Sequence, residues 1–452
     1  METMEKDKII KAPTGKERFK WLGPAFIWML SAAGSGELLF TPRIASQYGY
    51  TLVWALVIAV AMKWFINREI GRYTVCSGAT FFKGLESISS KSRILLWFLV
   101  VPQLVVAVAT IAGLAGGAAT ALITLLDIPP ISYVILIVII TTSIISMGRY
   151  KLVEKATTVF AIVISLAILT ASISTGPDIG AIAKGFVPQI PSELKVDELL
   201  SWLGFMLAGA AGLMWFSYWI AARGYGAANL NKEEPLDLNK LSPEQTQDLK
   251  GWIKQMTIAN TLAVIGALVI AFAFLILGTE LLKPKGLLPE ENKVAETLGR
   301  LLGDIWGQPG FWFMILAVFI TFFSTILSDQ DGFGRMFSDG IRILFKDSSV
   351  AKSSRFEQKK LQKIIVITVL GAIPIIVYLL AGEPVVLLKI AGVIEACHIP
   401  VVAGFIVYLN YKKLPVGLKP SVFSLIATTI AGLTFTIFAV VYILQLIGII
   451  KI

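Results

Sequence analysis

The chain of 452 residues is 56% hydrophobic, contains only 15% charged residues and has a mean hydropathy of +0.76. These values exclude an ordinary soluble protein, because apolar runs of about 18 residues or more recur and each predicts a membrane-spanning helix. The net charge of +10 does not indicate nucleic-acid binding, since Lys and Arg lie mainly between the apolar runs and no basic segment is interleaved with aromatic residues.

The first apolar run predicts a broken helix. It begins at Trp21 and meets Gly34-Ser35-Gly36-Glu37 before it is long enough to cross a bilayer, which takes about 20 residues. Glycine is a poor helix former, and a backbone that leaves the helix inside a membrane needs protein or a water-filled cavity to satisfy it. A glutamate at such a break is a functional-site hypothesis. We interpret this break as half of a substrate site in a transporter.

The pattern predicts an all-α, polytopic membrane protein with about eleven transmembrane helices. The predicted spans are 21–48, 52–73, 94–126, 131–147, 152–175, 199–223, 252–282, 311–337, 364–380, 385–409 and 422–450. Residues 1–20 form a cytoplasmic tail without a cleaved signal peptide, and residues 283–307 and 342–363 are linkers, the first with a short surface helix. The excess of Lys and Arg in alternate loops predicts the cell membrane as the location, with a cytoplasmic N-terminus.

A second, fainter break is predicted in the sixth span, where residues 207–214 are small and rich in glycine. Corresponding breaks in spans 1 and 6 predict two inverted five-helix repeats, residues 21–175 and 199–409, with a site near the bilayer midplane. Residues 422–450 form an additional eleventh helix.

Two sequence patterns together resemble the Nramp family of proton-coupled divalent-metal transporters. The pattern GPAF…GSGE…SQYGYTLVWAL resembles the first two helices, and GRYKLVEKATTVFAI resembles the turn between the fourth and fifth helices. The resemblance implies a leucine-transporter-like fold with helices 1 and 6 broken, and a membrane transport function.

The signature sites depart from the family pattern. The Asp-Pro-Gly-Asn motif of the first helix corresponds to Gly34-Ser35-Gly36-Glu37, so that Gly34 replaces the metal-ligating aspartate and Glu37 replaces the asparagine. The Met-Pro-His motif of the sixth helix corresponds to Met214-Trp215-Phe216. The glutamine of the tenth helix corresponds to Gly392, with Glu395 and His398 one and two turns further on. The resemblance therefore implies a divergent, Nramp-related member, and these losses argue against proton coupling.

Several residues are candidates for the substrate site. Glu37 offers a hard oxygen ligand for Mg²⁺, Ca²⁺ or Mn²⁺, and the alternative is an ion pair with Lys63 or Lys389. Met214 is the second candidate metal ligand, or else a packing residue. Main-chain positions at Ala33, Gly34 and Ala211 complete the predicted binding set.

A second group of residues is predicted to move protons or to form a gate. His398 is the only histidine, and it is either a proton relay or a hydrogen-bonding residue between helices. Glu395 lies one turn before it and shares its helix face. Lys63 is a candidate for the same role, although a fixed cation would weaken dication binding. The charged residues near the end of span 8 are either a gate network or solvated turn residues; they are Asp329, Asp331, Arg335 and Asp339.

We therefore expect a secondary transporter that carries a divalent cation of the Mn²⁺ or Mg²⁺ class by alternating access. The alternative is an amino acid or another small organic substrate in the same fold. An enzyme is not expected, because a single histidine and two separated cysteines, Cys76 and Cys397, provide no catalytic constellation or disulfide framework. No cofactor or nucleic acid is expected, and the partners are the metal ion, protons and membrane lipids. The sequence does not define the oligomeric state, and it is compatible with a monomer.

Overall fold

The computed structural model describes residues 9–22, 35–88, 93–148, 150–230, 235–349 and 353–450. Throughout these ranges the regular structure is helical. The α-helices are α1 (Thr41–Tyr48), α2 (Val53–Ser77), α3 (Phe81–Glu86), α4 (Arg93–Ile123), α5 (Pro130–Ser146), α6 (Tyr150–Ser174), α7 (Ile179–Gly185), α8 (Val196–Phe205), α9 (Ala210–Arg223), α10 (Pro243–Leu277), α11 (Val294–Leu344), α12 (Gln358–Ile367), α13 (Ile373–Ala381), α14 (Pro384–Lys413) and α15 (Val422–Leu446).

Nine helical stretches of the described chain are long and apolar enough to cross a membrane, and the shorter apolar α5 adds to them. Each predicted span coincides with at least one helix. The first stretch, Gly36–Ser77, contains the second half of predicted span 1 together with span 2. Gly49 separates these two helices. Its φ of 60° and ψ of −135° interrupt the helical backbone, and this conformation favours glycine.

Local sequence explains several helix ends. The longest regular helix, α10, begins with Pro243 behind a capping box, in which Ser242 and Gln245 satisfy each other's main-chain N–H groups. The left-handed Gly78 ends α2. Gly307, with φ 66° and ψ −151°, divides α11 into the predicted short surface helix and predicted span 8.

The end of span 8 differs from the prediction. The helix continues past residue 337 to Leu344, and Asp329, Asp331 and Asp339 are 5%, 6% and 2% exposed. The interpretation of these carboxylates as solvated turn residues is therefore wrong. Glycines in this segment favour an early helix end in the sequence, but tertiary packing overrides that weak local preference.

The sixth span lies at the centre of the bundle. The most apolar 18-residue segment of this span is completely buried, whereas that of every other candidate span is only partly buried. Its first half, α8, packs against α14, and its second half, α9, packs against α2. α4 packs against both α11 and α14. The break between α8 and α9 is therefore surrounded by helices from both halves of the chain.

Candidate functional site

The break of the sixth span is a short non-helical segment between α8 and α9. Its central residue, Leu207, has a φ of 68°, which is unusual for a residue other than glycine. Met206 has φ −49° and ψ 125°, so the main chain is extended where a helix would continue. A break predicted within residues 207–214 is thus found at the beginning of that range.

A π-helical segment of predicted span 1, Ser35–Phe40, contacts the break of the sixth span directly. The Oε1 atom of Glu37 accepts a 3.0 Å hydrogen bond from the main-chain N–H of Leu207. Gly36 allows this approach, because a Cβ atom there would lie 2.9 Å from the carbonyl oxygen of Phe205. The other carboxylate oxygen of Glu37, Oε2, is buried and has no hydrogen-bond partner in the described part of the chain. That oxygen is a candidate ligand atom.

The remaining predicted ligands of the first break are not described. Ala33 and Gly34 lie outside the described residues, so their carbonyl groups stay predictions. The alternative ion pair of Glu37 is not formed by either lysine. Lys63 donates its hydrogen bonds to main-chain carbonyls of the sixth span, and Lys389 pairs with Asp197 and Glu198.

A buried cavity of about 40 Å³ lies beside the break. The lining residues come from α4, α8, α9, α11, α14 and the break itself: Thr110, Phe205, Ala208, Gly209, Gly212, Trp215, Thr325, Asp329, Phe333 and Glu395. This volume suits about three water molecules, since one water needs at least about 10–15 Å³. A bound ion with part of its hydration shell fits such a space.

Two carboxylates and two unpartnered polar atoms face this cavity region. Asp329 and Glu395 are 5% and 3% exposed. The carboxylate of Asp329 accepts no hydrogen bond from any described residue. The Oγ1 atom of Thr110 and the Nε1 atom of Trp215 are also buried without a partner there. Buried polar atoms are normally satisfied, so several atoms without a described partner around one cavity are groups that a ligand or a water would satisfy.

Glu395 is oriented by the broken span. Its Oε2 atom accepts hydrogen bonds of 3.1 Å from the main-chain N–H of Ala211 and from Nε2 of Gln103. A Cβ atom on Gly209 would lie 2.7 Å from Oε1 of Glu395, so glycine is required for this close approach. The predicted binding position Ala211 therefore serves as a hydrogen-bond donor to a carboxylate.

His398 belongs to a chain of hydrogen bonds rather than to the cavity wall. Its Nδ1 atom lies 3.0 Å from Nε2 of Gln103, and its Nε2 atom lies 2.8 Å from the carbonyl oxygen of Phe98. The amide nitrogen of Gln103 donates, so Nδ1 accepts and Nε2 carries the proton; this tautomer is assigned from the network. Both ring nitrogens are satisfied in the neutral form. This arrangement favours the hydrogen-bonding interpretation of His398 over the proton relay.

Met214, the second predicted metal ligand, is fully buried in the regular helix α9. It does not line the cavity. No group of three or more His, Cys, Asp or Glu side chains is arranged to hold a metal within the described ranges. A metal ion at this break would therefore depend on a few carboxylates, hydroxyl and main-chain oxygens, and water.

Charged and polar networks join several helices at each end of the sixth span. At the end where α8 begins, Arg43 donates to both carboxylate oxygens of Glu198, at 2.9 and 2.8 Å, and to the carbonyl oxygen of Pro289 at 2.6 Å. At the end where α9 finishes, Oδ2 of Asp339 accepts 2.8 Å hydrogen bonds from Thr80 and Tyr218. These contacts tie the broken spans to their neighbours on both sides of the cavity.

Asp329 is predicted from the sequence only as a possible gate residue, and Thr110 is not predicted as a site residue. An acidic residue inside an apolar helical run is itself an indication of function, and this signal applies to Asp329. Thr110 gives no comparable indication, because threonine is common in helices that pack closely. Leu207 begins the break predicted at residues 207–214, whereas Met206 lies just before it.

Comparisons with known proteins agree with this architecture. A family model described as natural resistance-associated macrophage protein-like (Nramp) matches residues 25–449. A divalent metal cation transporter, MntH, of Deinococcus radiodurans is 27% identical over 182 residues, which are 39% of this chain and 41% of that protein. An uncharacterised protein of Pasteurella multocida is 24% identical over 170 residues, which are 35% of this chain and 39% of that protein. The chain thus spans about two-fifths of the length of these curated relatives.

Solved structures share the fold. A manganese transporter of Eremococcus coleocola, in complex with an aromatic bis-isothiourea compound, has a TM-score of 0.68 at 15% identity and covers 96% of this chain and 89% of its own. A nucleobase-cation-symport-1 family transporter in a closed conformation has a TM-score of 0.53 at 12% identity and covers 95% of this chain and 94% of its own. The predicted all-α, polytopic, leucine-transporter-like fold is confirmed.

Proposed function

The chain belongs to the natural resistance-associated macrophage protein-like (Nramp) family, and from this premise we propose that it is a secondary transporter of a divalent metal cation of the Mg²⁺ or Mn²⁺ class. One observation supports the choice of a dication as the cargo. Asp329 and Glu395 approach the same buried cavity from α11 and α14, beside the break of the sixth span. Two carboxylates in one desolvated space would balance the charge of one dication.

The donor atoms around the cavity favour a hard cation. The lining offers carboxylate, hydroxyl and main-chain oxygens, and it contains neither sulfur nor imidazole among the described residues. Oxygen ligands of this type suit Mg²⁺ and Mn²⁺. Mg²⁺ keeps several waters when it binds, and the unpartnered Oγ1 atom of Thr110 is an acceptor for a hydrogen that such a water donates. Glu37 is a further candidate ligand, since its Oε2 atom has no hydrogen-bond partner among the described residues.

Alternating access is the mechanism that this architecture supports. The cavity lies between the Arg43–Glu198 network and the Asp339–Tyr218 network. Opening either side requires the corresponding network to separate. With the predicted orientation, the Arg43 side faces the exterior and the Asp339 side faces the cytoplasm.

Metal flux into proteoliposomes tests the proposed cargo. Mg²⁺ and Mn²⁺ influx is measured separately, with and without a pH gradient, for the wild type and for Asp329→Asn. Loss of a charged ligand should raise the metal KM by about tenfold or more, since about 1.4 kcal/mol of binding free energy corresponds to a factor of ten.

Asp331→Asn is the matched control. Asp331 is on the same helix and pairs with Arg335 at 2.8 Å, but it does not line the cavity. Its KM should stay within about twofold of the wild type, because an ion pair with a partly exposed arginine contributes little. A thermal-shift series with dications and amino acids distinguishes the cargo classes. Stabilisation by an amino acid alone would reject the metal assignment and favour the organic alternative.

A further inference from the structure

Lys63 is an internal cation that the proposed transport site does not use. It lies on α2, and its side chain is among the largest in the described chain that are completely buried. Its ammonium nitrogen donates to three main-chain carbonyl oxygens of the sixth span: Gly204 at 2.8 Å, Met206 at 2.7 Å and Ala208 at 2.6 Å. An ammonium group has three donors, so these contacts saturate it.

The three carbonyl groups converge because the helix is broken. In a continuous helix each would accept the N–H group four residues later. The extended main chain at Met206 and the positive φ of Leu207 instead turn the carbonyl groups of alternate residues towards one point. The ring of Phe435, on α15, lies with its centroid 5.8 Å from the ammonium nitrogen. An aromatic face within about 6 Å attracts a cation.

The same surroundings suit a free monovalent cation. Carbonyl groups released by an unwound membrane helix coordinate Na⁺ or K⁺ in other folds, because their oxygens replace the hydration shell. We propose that the ammonium group of Lys63 is a tethered cation occupying a main-chain monovalent-cation site in the sixth span, and that shortening Lys63 opens this site to a free alkali or alkylammonium ion.

This assignment explains how the broken main chain is satisfied. Carboxylates accept the N–H groups of the break, Glu37 at Leu207 and Glu395 at Ala211. Lys63 supplies the complementary charge and satisfies the carbonyl groups. A cargo dication is thereby excluded from these carbonyl oxygens. The wild-type protein then needs no dissociable monovalent cation to hold the sixth span in its broken form.

Substitution of Lys63 tests whether its ammonium group fills a cation site or serves only as a structural hydrogen-bond donor. Lys63→Ala deletes the equivalent of a propylammonium ion and leaves room for one. Lys63→Met deletes the charge but keeps most of the volume, so it is the matched control. The thermal midpoint Tm of each purified protein is measured in propylammonium, Na⁺, K⁺ and choline chloride at equal ionic strength. Choline is too large for the space and reports only ionic strength.

The Tm of Lys63→Ala should rise by several degrees, and saturate, with propylammonium or with one of the alkali ions. The wild type and Lys63→Met should show no difference between the four salts. The Ala variant is purified in propylammonium in case it is unstable without a cation. Failure of every cation to stabilise or recover Lys63→Ala, while Lys63→Met folds, would overturn the proposal. Saturable stabilisation of the wild type by Na⁺ or K⁺ would overturn it as well. Neither outcome depends on metal flux, so the proposed transport function is tested separately.

Discussion

The Oε1 atom of Glu37 accepts a 3.0 Å hydrogen bond from the main-chain N–H of Leu207, and this contact joins the first span to the break of the sixth. The two residues are 170 positions apart in the chain. The left-handed conformation of Leu207 is costly for a residue with a side chain, by about 1–3 kcal/mol, and persists only where the surroundings enforce it. Glu37 is therefore both a structural acceptor and a candidate ligand.

Two substitutions of Glu37 distinguish these roles. Glu37→Gln keeps an oxygen acceptor for Leu207, whereas Glu37→Ala leaves a buried N–H unsatisfied and should cost about 1–3 kcal/mol of unfolding free energy. Unfolding of both variants is followed by tryptophan fluorescence in detergent. If Oε2 of Glu37 contacts the cargo, Glu37→Gln should still lose most metal flux while retaining stability. Unchanged flux in Glu37→Gln would remove Glu37 from the transport site.

The Arg43–Glu198 pair should contribute more to the free energy of unfolding than the exposed contact between Arg43 and Glu290. Arg43→Ala leaves the buried carboxylate of Glu198 with Lys389 alone, and removing one member of a buried pair costs about 3–5 kcal/mol. Glu290 lies 3.8 Å from Arg43, and its side chain is 59% exposed, so Glu290→Gln is the control and should cost less than about 1 kcal/mol. Denaturant unfolding measures both changes. If Arg43→Ala and Glu290→Gln lowered the free energy of unfolding equally, burial of the Arg43–Glu198 pair would not determine its contribution to stability.

His398 should be replaceable by a residue that reproduces both hydrogen bonds. Glutamine at this position offers one acceptor for Gln103 and one donor for the carbonyl group of Phe98. We expect His398→Gln to keep the wild-type dependence of flux on pH. His398→Leu should destabilise the protein by about 1–3 kcal/mol, because it leaves buried polar groups unpaired. A pH profile altered by His398→Gln would restore the proton-relay interpretation.

Gly204 should tolerate no side chain. A Cβ atom there would collide with the carbonyl oxygen of Gly392 and would lie 3.2 Å from the main-chain nitrogen of Ala396. Gly204→Ala is therefore expected to cost about 1–3 kcal/mol through overpacking. Gly404→Ala, on α14, is the control: nothing lies within 4 Å of its Cβ position, and alanine should gain up to about 1 kcal/mol from helix propensity. Thermal unfolding of both variants shows whether Gly204→Ala lowers the stability while Gly404→Ala raises it.

The membrane spans and the break of the sixth span are predictable from the sequence, because apolar length and glycine content are properties of a local segment. The break predicted at Gly34-Ser35-Gly36-Glu37 lies partly outside the described residues and stays a prediction. The solvated-turn interpretation of Asp329 is wrong, since the burial of a carboxylate depends on which helices surround it. The roles of Glu37 and Met214 as metal ligands stay predictions.

The sequence by itself determined that this chain contains many apolar helical spans and that its sixth span is not a continuous helix. Only the tertiary structure decided which groups satisfy the broken backbone. Lys63 meets carbonyl groups 141 to 145 residues further along the chain, and Asp329 and Glu395 approach one cavity from different spans. Such partners are set by helix packing, because a buried charge must find donors or acceptors wherever the fold brings them, whatever their separation in sequence.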